Sequence, residues 1–300
     1  MTRRRNALRV LLLASGVVAL GVAAAIATAP FLTESSYWAR IIAWRNATAD
    51  DYATKFPARD VLNAPPMFVL HEASAHVPAA YASITYPTNK GPMTASLDEF
   101  LSNTGTRALL VVRDDELVIE RYANGSSHNA IQTSFSMAKS FDSTMIGIAI
   151  GEGAIVSVDD PVVSYIPELS GRGMDHVTIR QLLGMDSGLR YDGAGAGGLP
   201  WQDDARTYYD PDLRALALSV TPAEPPATRW IYNNYHPLLL GLVLERATGR
   251  PVAEYLSEKI WQPLGMEAPA SWASTAITTD SRRWRVASTP ARSTSRASAG

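Results

Sequence analysis

The sequence predicts an α+β fold preceded by an N-terminal transmembrane helix, and three observations carry that expectation. Apolar and polar residues alternate on both sides of Asp114-Asp115; segments with helical apolar spacing dominate Ser136 to Trp261; and an uncharged apolar run follows an arginine cluster at the N-terminus. The chain has 300 residues, 46% hydrophobic and 19% charged, enough to bury a core, which excludes intrinsic disorder. Its 27 basic and 29 acidic residues give a formal charge of -2. Binding to a phosphate backbone needs a basic excess, so nucleic acid is not an expected partner. The absence of cysteine removes disulfides, thiolate metal sites and a cysteine nucleophile.

Arg3, Arg4, Arg5 and Arg9 precede Val10 to Thr33, a stretch without Asp, Glu, Lys or Arg. As a helix its roughly 24 residues would extend about 36 Å, against about 30 Å of hydrocarbon. Residues 1–33 therefore read as a signal anchor, a single-pass contact with the cell membrane. The arginines stay in the cytoplasm, and everything beyond about Leu32 lies on the extracytoplasmic (periplasmic) side. Cleavage after Ala27-Thr28-Ala29, giving a secreted protein, is the alternative. The length of the run and Pro30 just beyond that bond weigh against it. Without residues 1–30 the chain keeps 23 basic and 29 acidic residues, a mildly acidic body with no attraction to anionic lipid.

Residues 34–66 mix aromatic, charged and proline residues and read as an extended or partly helical connector. The main domain follows over 67–275. Arms near Ala108 to Val112 and Leu117 to Arg121 form a β-hairpin. Met137, Phe141, Met145 and Ile148 give Ser136 to Gly151 the spacing of a buried helix, with Gly151 and Gly153 as stop signals. Thr178 to Gly184 opens a short helix, and the glycine-rich Gly188 to Gly198 is a loop. Asp210 to Val220, Tyr235 to Thr248 and Val252 to Trp261 read as helices, the second with Asn234 as candidate N-cap and Pro237 in its first turn.

Ser136-Met137-Ala138-Lys139 places a hydroxyl and an amine one helical turn apart on one face, where they can share a proton. Serine becomes a nucleophile only when that proton is removed, and lysine removes it only where its surroundings favour the neutral amine. Thr133, Ser134, Phe135, Met137, Ala138 and Phe141 form an uncharged setting expected to desolvate Lys139. A helix N-terminus also presents free N–H groups to an incoming oxyanion. Taken alone, a Ser-x-x-Lys spacing is weak, because many helices contain one by chance. His71, His76, His128, His176 and His236 show no H-E-x-x-H spacing, and Ser136 lies outside a G-x-S-x-G elbow, which disfavours a zinc site and an α/β-hydrolase. His236 reads as a first-turn helix residue facing solvent, with a pocket-lining role as the alternative. Tyr191, Asp192 and Trp201 read as loop anchors or as a substrate rim.

Trp230-Ile231-Tyr232-Asn233-Asn234 lies between Pro225-Pro226 and a helix, on a short rigid loop. With Ser136 and Lys139, this pattern resembles the serine β-lactamase and penicillin-binding-protein superfamily, in particular its class C-like esterase and 6-aminohexanoate-dimer hydrolase branch. Gly151-Glu152-Gly153, Val158 to Val162, Tyr165 to Leu169, Thr178 to Leu183 and Ser187-Gly188-Leu189 extend the resemblance over roughly Arg107 to Pro269. The resemblance implies a β-lactamase/transpeptidase-like fold, an antiparallel sheet flanked by helices with a helical subdomain. It implies that Ser136 is the acylated nucleophile, Lys139 its proton acceptor, and Tyr232 the acid/base for leaving group and deacylating water. Asn234 would contact the substrate amide or Lys139, unless it only caps its helix.

The expected substrate is a small ester or amide, with no metal and no organic cofactor; the oligomeric state is left open. A D,D-peptidase or β-lactamase is the first rival, and a non-catalytic remnant that binds without turnover is the second. The superfamily pattern also requires a Lys-Ser/Thr-Gly or His-x-Gly triplet on a late strand, and none follows Tyr232. Ser281 to Gly300 holds five Ser, five Arg, four Ala and two Thr and no acid, a composition that cannot build a strand pair in a core. Residues 276–300 are therefore expected to be a disordered, non-native tail left by truncation or frameshift, with C-terminal sheet strands missing and activity reduced or lost.

Overall fold

The computed structural model describes residues 21, 35–44, 48, 56–72, 82–193, 199–273 and 287–288. In chain order their elements are α1 (Ser35–Trp44), β1 (Ala58–Val61), β2 (His71–Glu72), β3 (Ser83–Thr88), β4 (Gly91–Ser96), α2 (Leu97–Asn103), β5 (Ala108–Arg113) and β6 (Glu116–Tyr122). There follow β7 (Gln132–Thr133), α3 (Ala138–Gly151), α4 (Ile179–Gly184), α5 (Asp203–Tyr209), α6 (Leu213–Leu218), α7 (Tyr235–Thr248), α8 (Val252–Leu256), β8 (Ala270–Ala273) and β9 (Ala287–Ser288). The chain divides into two compact units, one of residues 1–59, 136–252 and 273–284, the other of 60–135, 253–272 and 285–300.

The second unit carries strands. The expected hairpin is β5–β6, antiparallel with Leu109 opposite Arg121 and Val111 opposite Ile119. Its turn residues Asp114 and Asp115 have φ of 53° and 63°, the left-handed pair that a two-residue hairpin turn needs. Strand β2 adds to β6 in parallel. A second hairpin, β3–β4, pairs Tyr86 with Met93 and Pro87 with Pro92; those prolines remove ladder donors and hide the strands from pattern reading. Ser96 then starts α2 with a capping box, its hydroxyl accepting from the Glu99 N–H while the Glu99 side chain reaches back. Leu97 and Leu101 of α2 bury against Ile119 of β6. Strands β8 and β9 lie where the sequence predicted little strand. Within the expected tail, Ala287 pairs with Thr133 and Ser288 with Gln132, because ladder bonds use backbone groups and require no apolar side chain.

The first unit is helical. Helix α7 is buried from Tyr235 through Glu245, as an apolar run without a polar face must be, and α3, α4 and α6 pack against it. Met145, Ile146 and Ala149 form the buried stripe of α3. Thr178 caps α4 in a second capping box with Gln181, and Met185 closes that helix in the left-handed region. Gly188, at φ +74°, lets the following loop approach Glu224 so closely that a Cβ would sit 2.2 Å from its carbonyl oxygen. The helix expected over Asp210 to Val220 is shorter; Val252 to Trp261, which belongs to the second unit from Ala253 onward, divides into α8 and a π-helical turn at Ser257–Trp261.

The α+β architecture stands, but the expected N-terminal transmembrane helix is corrected. Among the described residues no helix is long and apolar enough to cross a membrane. The longest, α3 and α7, have 14 residues each, about 21 Å of rise against about 30 Å of hydrocarbon. Val10 to Thr33, on which the expectation fell, lies outside the described residues apart from Gly21.

Candidate active site

Ser136 sits in the 3₁₀ turn Phe135–Met137 that leads into α3. Phe135 holds a φ of 47°, an unfavourable conformation for a bulky residue and a local strain immediately before the serine. Helix α3 has no side-chain cap bond at its start, so no side chain competes for the N–H groups of its first turn. Lys139 follows one turn later. Its Nζ donates to Ser136 Oγ at 3.1 Å, to Tyr232 Oη at 2.8 Å and to Asn234 Oδ1 at 3.0 Å. Tyr232 Oη donates to Ser136 Oγ at 2.6 Å. Serine, lysine and tyrosine thus close a hydrogen-bonded triangle, with the Lys139 Nζ also 4.7 Å from the centre of the Tyr232 ring.

The segment bearing Tyr232 and Asn234 is tethered by its backbone. The Ile231 N–H donates to the Met185 carbonyl at 2.8 Å, and the Ala227 N–H to that of Asp186 at 2.7 Å. Asn234 does not cap α7. Asn233 binds the Tyr235 N–H through Oδ1 at 2.8 Å, which leaves the Asn234 carboxamide for the site. Its Nδ2 donates to Tyr191 Oη at 3.0 Å and to Asp204 Oδ1 at 3.3 Å. The Tyr191 hydroxyl in turn donates to Asp204. Burial, then the Asp204 carboxylate, holds the Tyr191 phenol well above its ordinary pKa.

The four residues singled out from sequence, Ser136, Lys139, Tyr232 and Asn234, are therefore in direct contact, while other expectations change. The apolar cover over Lys139 is not formed by Phe135 and Met137, which are 43% and 70% exposed; the 3₁₀ turn directs them outward. Tyr232 is itself 43% exposed. His236 is buried rather than solvent-facing, with Nε2 2.6 Å from Ser187 Oγ and Nδ1 3.0 Å from Met185 Sδ. Burial, with the nearby Lys139 charge, pushes its pKa down to about 4. Tyr191 and Asp192 do anchor their loop, the Asp192 N–H donating to Asp203 at 2.7 Å, whereas Trp201 is 67% exposed.

Two residues at the site, Asp204 and Asp142, escape sequence reading. Tyr191 reads there as a loop anchor or part of a substrate rim, with no sign of its link to Asn234, and Asp204 lies in an acidic helix start that resembles ordinary first-turn charge. Asp142, one turn beyond Lys139, is fully buried, and neither carboxyl oxygen has a hydrogen-bond partner among the described residues. Burial raises its pKa well above the usual carboxylate range, against an opposing pull from Lys139. Among the described residues no group of three or more His, Cys, Asp or Glu could hold a metal ion.

The α+β fold finds its counterpart in known proteins. The chain belongs to the Beta-lactamase family, whose model it matches over residues 98–298. It is 27% identical over 189 residues to the 6-aminohexanoate-dimer hydrolase of Paenarthrobacter ureafaciens, covering 58% of this chain and 46% of that one. It is 37% identical over 131 residues to esterase EstB of Burkholderia gladioli, covering 40% and 32%. A solved structure from Bacillus anthracis, described as a candidate 6-aminohexanoate-dimer hydrolase, shares the fold with a TM-score of 0.67 and 23% identity, over 81% of this chain and 65% of that one. The chain spans less than half the length of these two curated relatives.

Proposed function

We propose that the protein is a serine hydrolase that cleaves a small ester or amide through an acyl-enzyme on Ser136. The observation that carries this reading is the position of Ser136 Oγ, 2.6 Å from Tyr232 Oη and 3.1 Å from Lys139 Nζ. A neutral lysine amine keeps two N–H bonds, which fit Asn234 and Tyr232, and turns its lone pair on the serine hydroxyl. Lys139 then takes the serine proton as Oγ bonds to the substrate carbonyl carbon, and the carbonyl oxygen becomes an oxyanion near the start of α3. When the intermediate collapses, Tyr232 donates a proton to the departing oxygen or nitrogen. It recovers a proton from the water that later attacks the acyl-enzyme, so that acid and base roles alternate on one phenol. Asn234 serves Lys139 rather than the substrate amide, because both ends of its carboxamide are occupied. The names of the relatives, a dimer hydrolase and an esterase, support ester or amide cleavage.

Hydrolysis of p-nitrophenyl acetate by the full chain tests the proposal. Ser136→Ala is expected to abolish turnover, and Lys139→Ala and Tyr232→Phe to lower kcat about 100- to 10,000-fold. Unchanged turnover in Ser136→Ala would refute it.

A further inference from the structure

With its lone pair turned on Ser136, Lys139 presents only N–H donors to Asn234, and the Asp204 carboxylate can only accept. Between them stands one carboxamide with an accepting end and a donating end. With Asn234 Oδ1 toward Lys139 at 3.0 Å and Nδ2 toward Tyr191 and Asp204 at 3.0 and 3.3 Å, every group finds a complement. A flipped amide would set N–H against N–H at Lys139 and oxygen against oxygen at Asp204. From this we propose that Asp204 and Tyr191 are positioning residues that fix the orientation of the Asn234 amide and, through it, the direction in which Lys139 faces Ser136. The inference rests on the hydrolase reading above and adds to it a chain of side chains, Asp204 to Tyr191 to Asn234 to Lys139, that does not touch the reacting atoms beyond its last member.

The local structure is built to hold that chain in place. The Tyr191 ring stands edge-on to Tyr235, with centroids 5.5 Å apart and planes at 90°. Gly193 also packs against this ring, since a Cβ there would lie 2.6 Å from Tyr191 Cε1. The loop and α5 are tied to one another, the Asp192 N–H to Asp203 Oδ2 at 2.7 Å and the Asp203 N–H to the Asp192 carbonyl at 3.0 Å. Tyr191 and Asp204 are therefore held by elements that bond to one another, and Asn234 meets two partners already placed.

A double-mutant cycle on ester hydrolysis tests the proposal. Asp204→Asn is expected to lower kcat about 10- to 100-fold with KM within about threefold, the signature of a misplaced reacting group. Tyr191→Phe gives a smaller loss in the same direction and serves as the second variant should Asp204→Asn fail to fold. Asp204→Asn combined with Asn234→Ala is expected to be no slower than Asn234→Ala alone, because a residue that acts through Asn234 has nothing left to act on. Losses that multiply, or a loss confined to KM, would overturn the positioning role. The chain has only four lysines, Lys55, Lys90, Lys139 and Lys259, so the ¹³Cε signal of Lys139 gives a second reading that does not depend on turnover. Asp204→Asn should move that signal in the wild-type background and leave it nearly still in Asn234→Ala; equal movement in both backgrounds would overturn the proposal. A wild type that shows no Ser136-dependent hydrolysis while this spectroscopic cycle holds would refute the hydrolase reading and leave the positioning role standing.

Discussion

Two buried groups beside Lys139 respond to pH in opposite senses, and burial is the largest cause in each. His236 is held neutral, its pKa lowered from 6.5 to about 4. Between those values the unfolded chain binds more protons than the folded one, so His236's contribution is complete above about pH 6.5. It is lost as pH falls toward 4, worth roughly 3 kcal/mol in all. Asp142 behaves oppositely, because burial raises its pKa. The folded state retains a proton that the unfolded state releases above about pH 4, and stability from this residue declines as pH rises. Asp142→Asn is therefore expected to raise Tm at pH 8 and change it little at pH 3.5, as thermal melts at the two pH values would show. Ser136, Lys139, Tyr232 and Asn234 were singled out because a Ser-x-x-Lys turn and a Tyr-x-Asn loop, weak when taken alone, stand together in an ordered series of motifs that resembles a known superfamily. Asp142, Asp204 and the partners of Tyr191 were not, since what distinguishes them is a burial or a contact set by distant parts of the chain. Asp142 in sequence is merely a polar residue on a helix.

The same contrast holds among the elements. The β5–β6 hairpin was legible from alternation around Asp114-Asp115, and α3, α4 and α7 from helical apolar spacing, although Asn234, the candidate N-cap of α7, makes no side-chain cap bond. The β3–β4 hairpin was not, because Pro87 and Pro92 contradict the pattern that its backbone nonetheless adopts. With both turn residues of β5–β6 at positive φ, Asp115→Gly is expected to stabilise the protein by up to about 1 kcal/mol, read from urea denaturation. Thr178→Ala removes half of a capping box and should cost about 1 kcal/mol in the same measurement. Gly188→Ala is expected to be far worse, since its Cβ would meet the Glu224 carbonyl at 2.2 Å and its φ of +74° already disfavours a side chain. Loss of soluble protein, or a fall in Tm of more than 10 °C, is the anticipated outcome, and a variant as stable as the parent would show that the loop can yield.

For the molecule as a whole, membership of the Beta-lactamase family rests on a match that runs from residue 98 to 298, beyond the stretch from Arg107 to Pro269 over which the resemblance was read from motifs. Composition spoke for a chain able to bury a core, and within the expected tail the backbones of Ala287 and Ser288 pair with Thr133 and Gln132. Backbone pairing is blind to the cues that composition reads. The expectation of a membrane-spanning helix drew on an uncharged apolar run behind an arginine cluster, and among the described residues no helix is long and apolar enough to span. What the whole chain is proposed to do comes down to one oxygen atom made reactive by an amine and a phenol. Treating the protein with a fluorophosphonate probe and locating the adduct by peptide mass spectrometry measures that reactivity directly. A single adduct on Ser136, strongly diminished in Lys139→Ala, is the predicted result. An unmodified Ser136, or labelling that persists undiminished without Lys139, would contradict it.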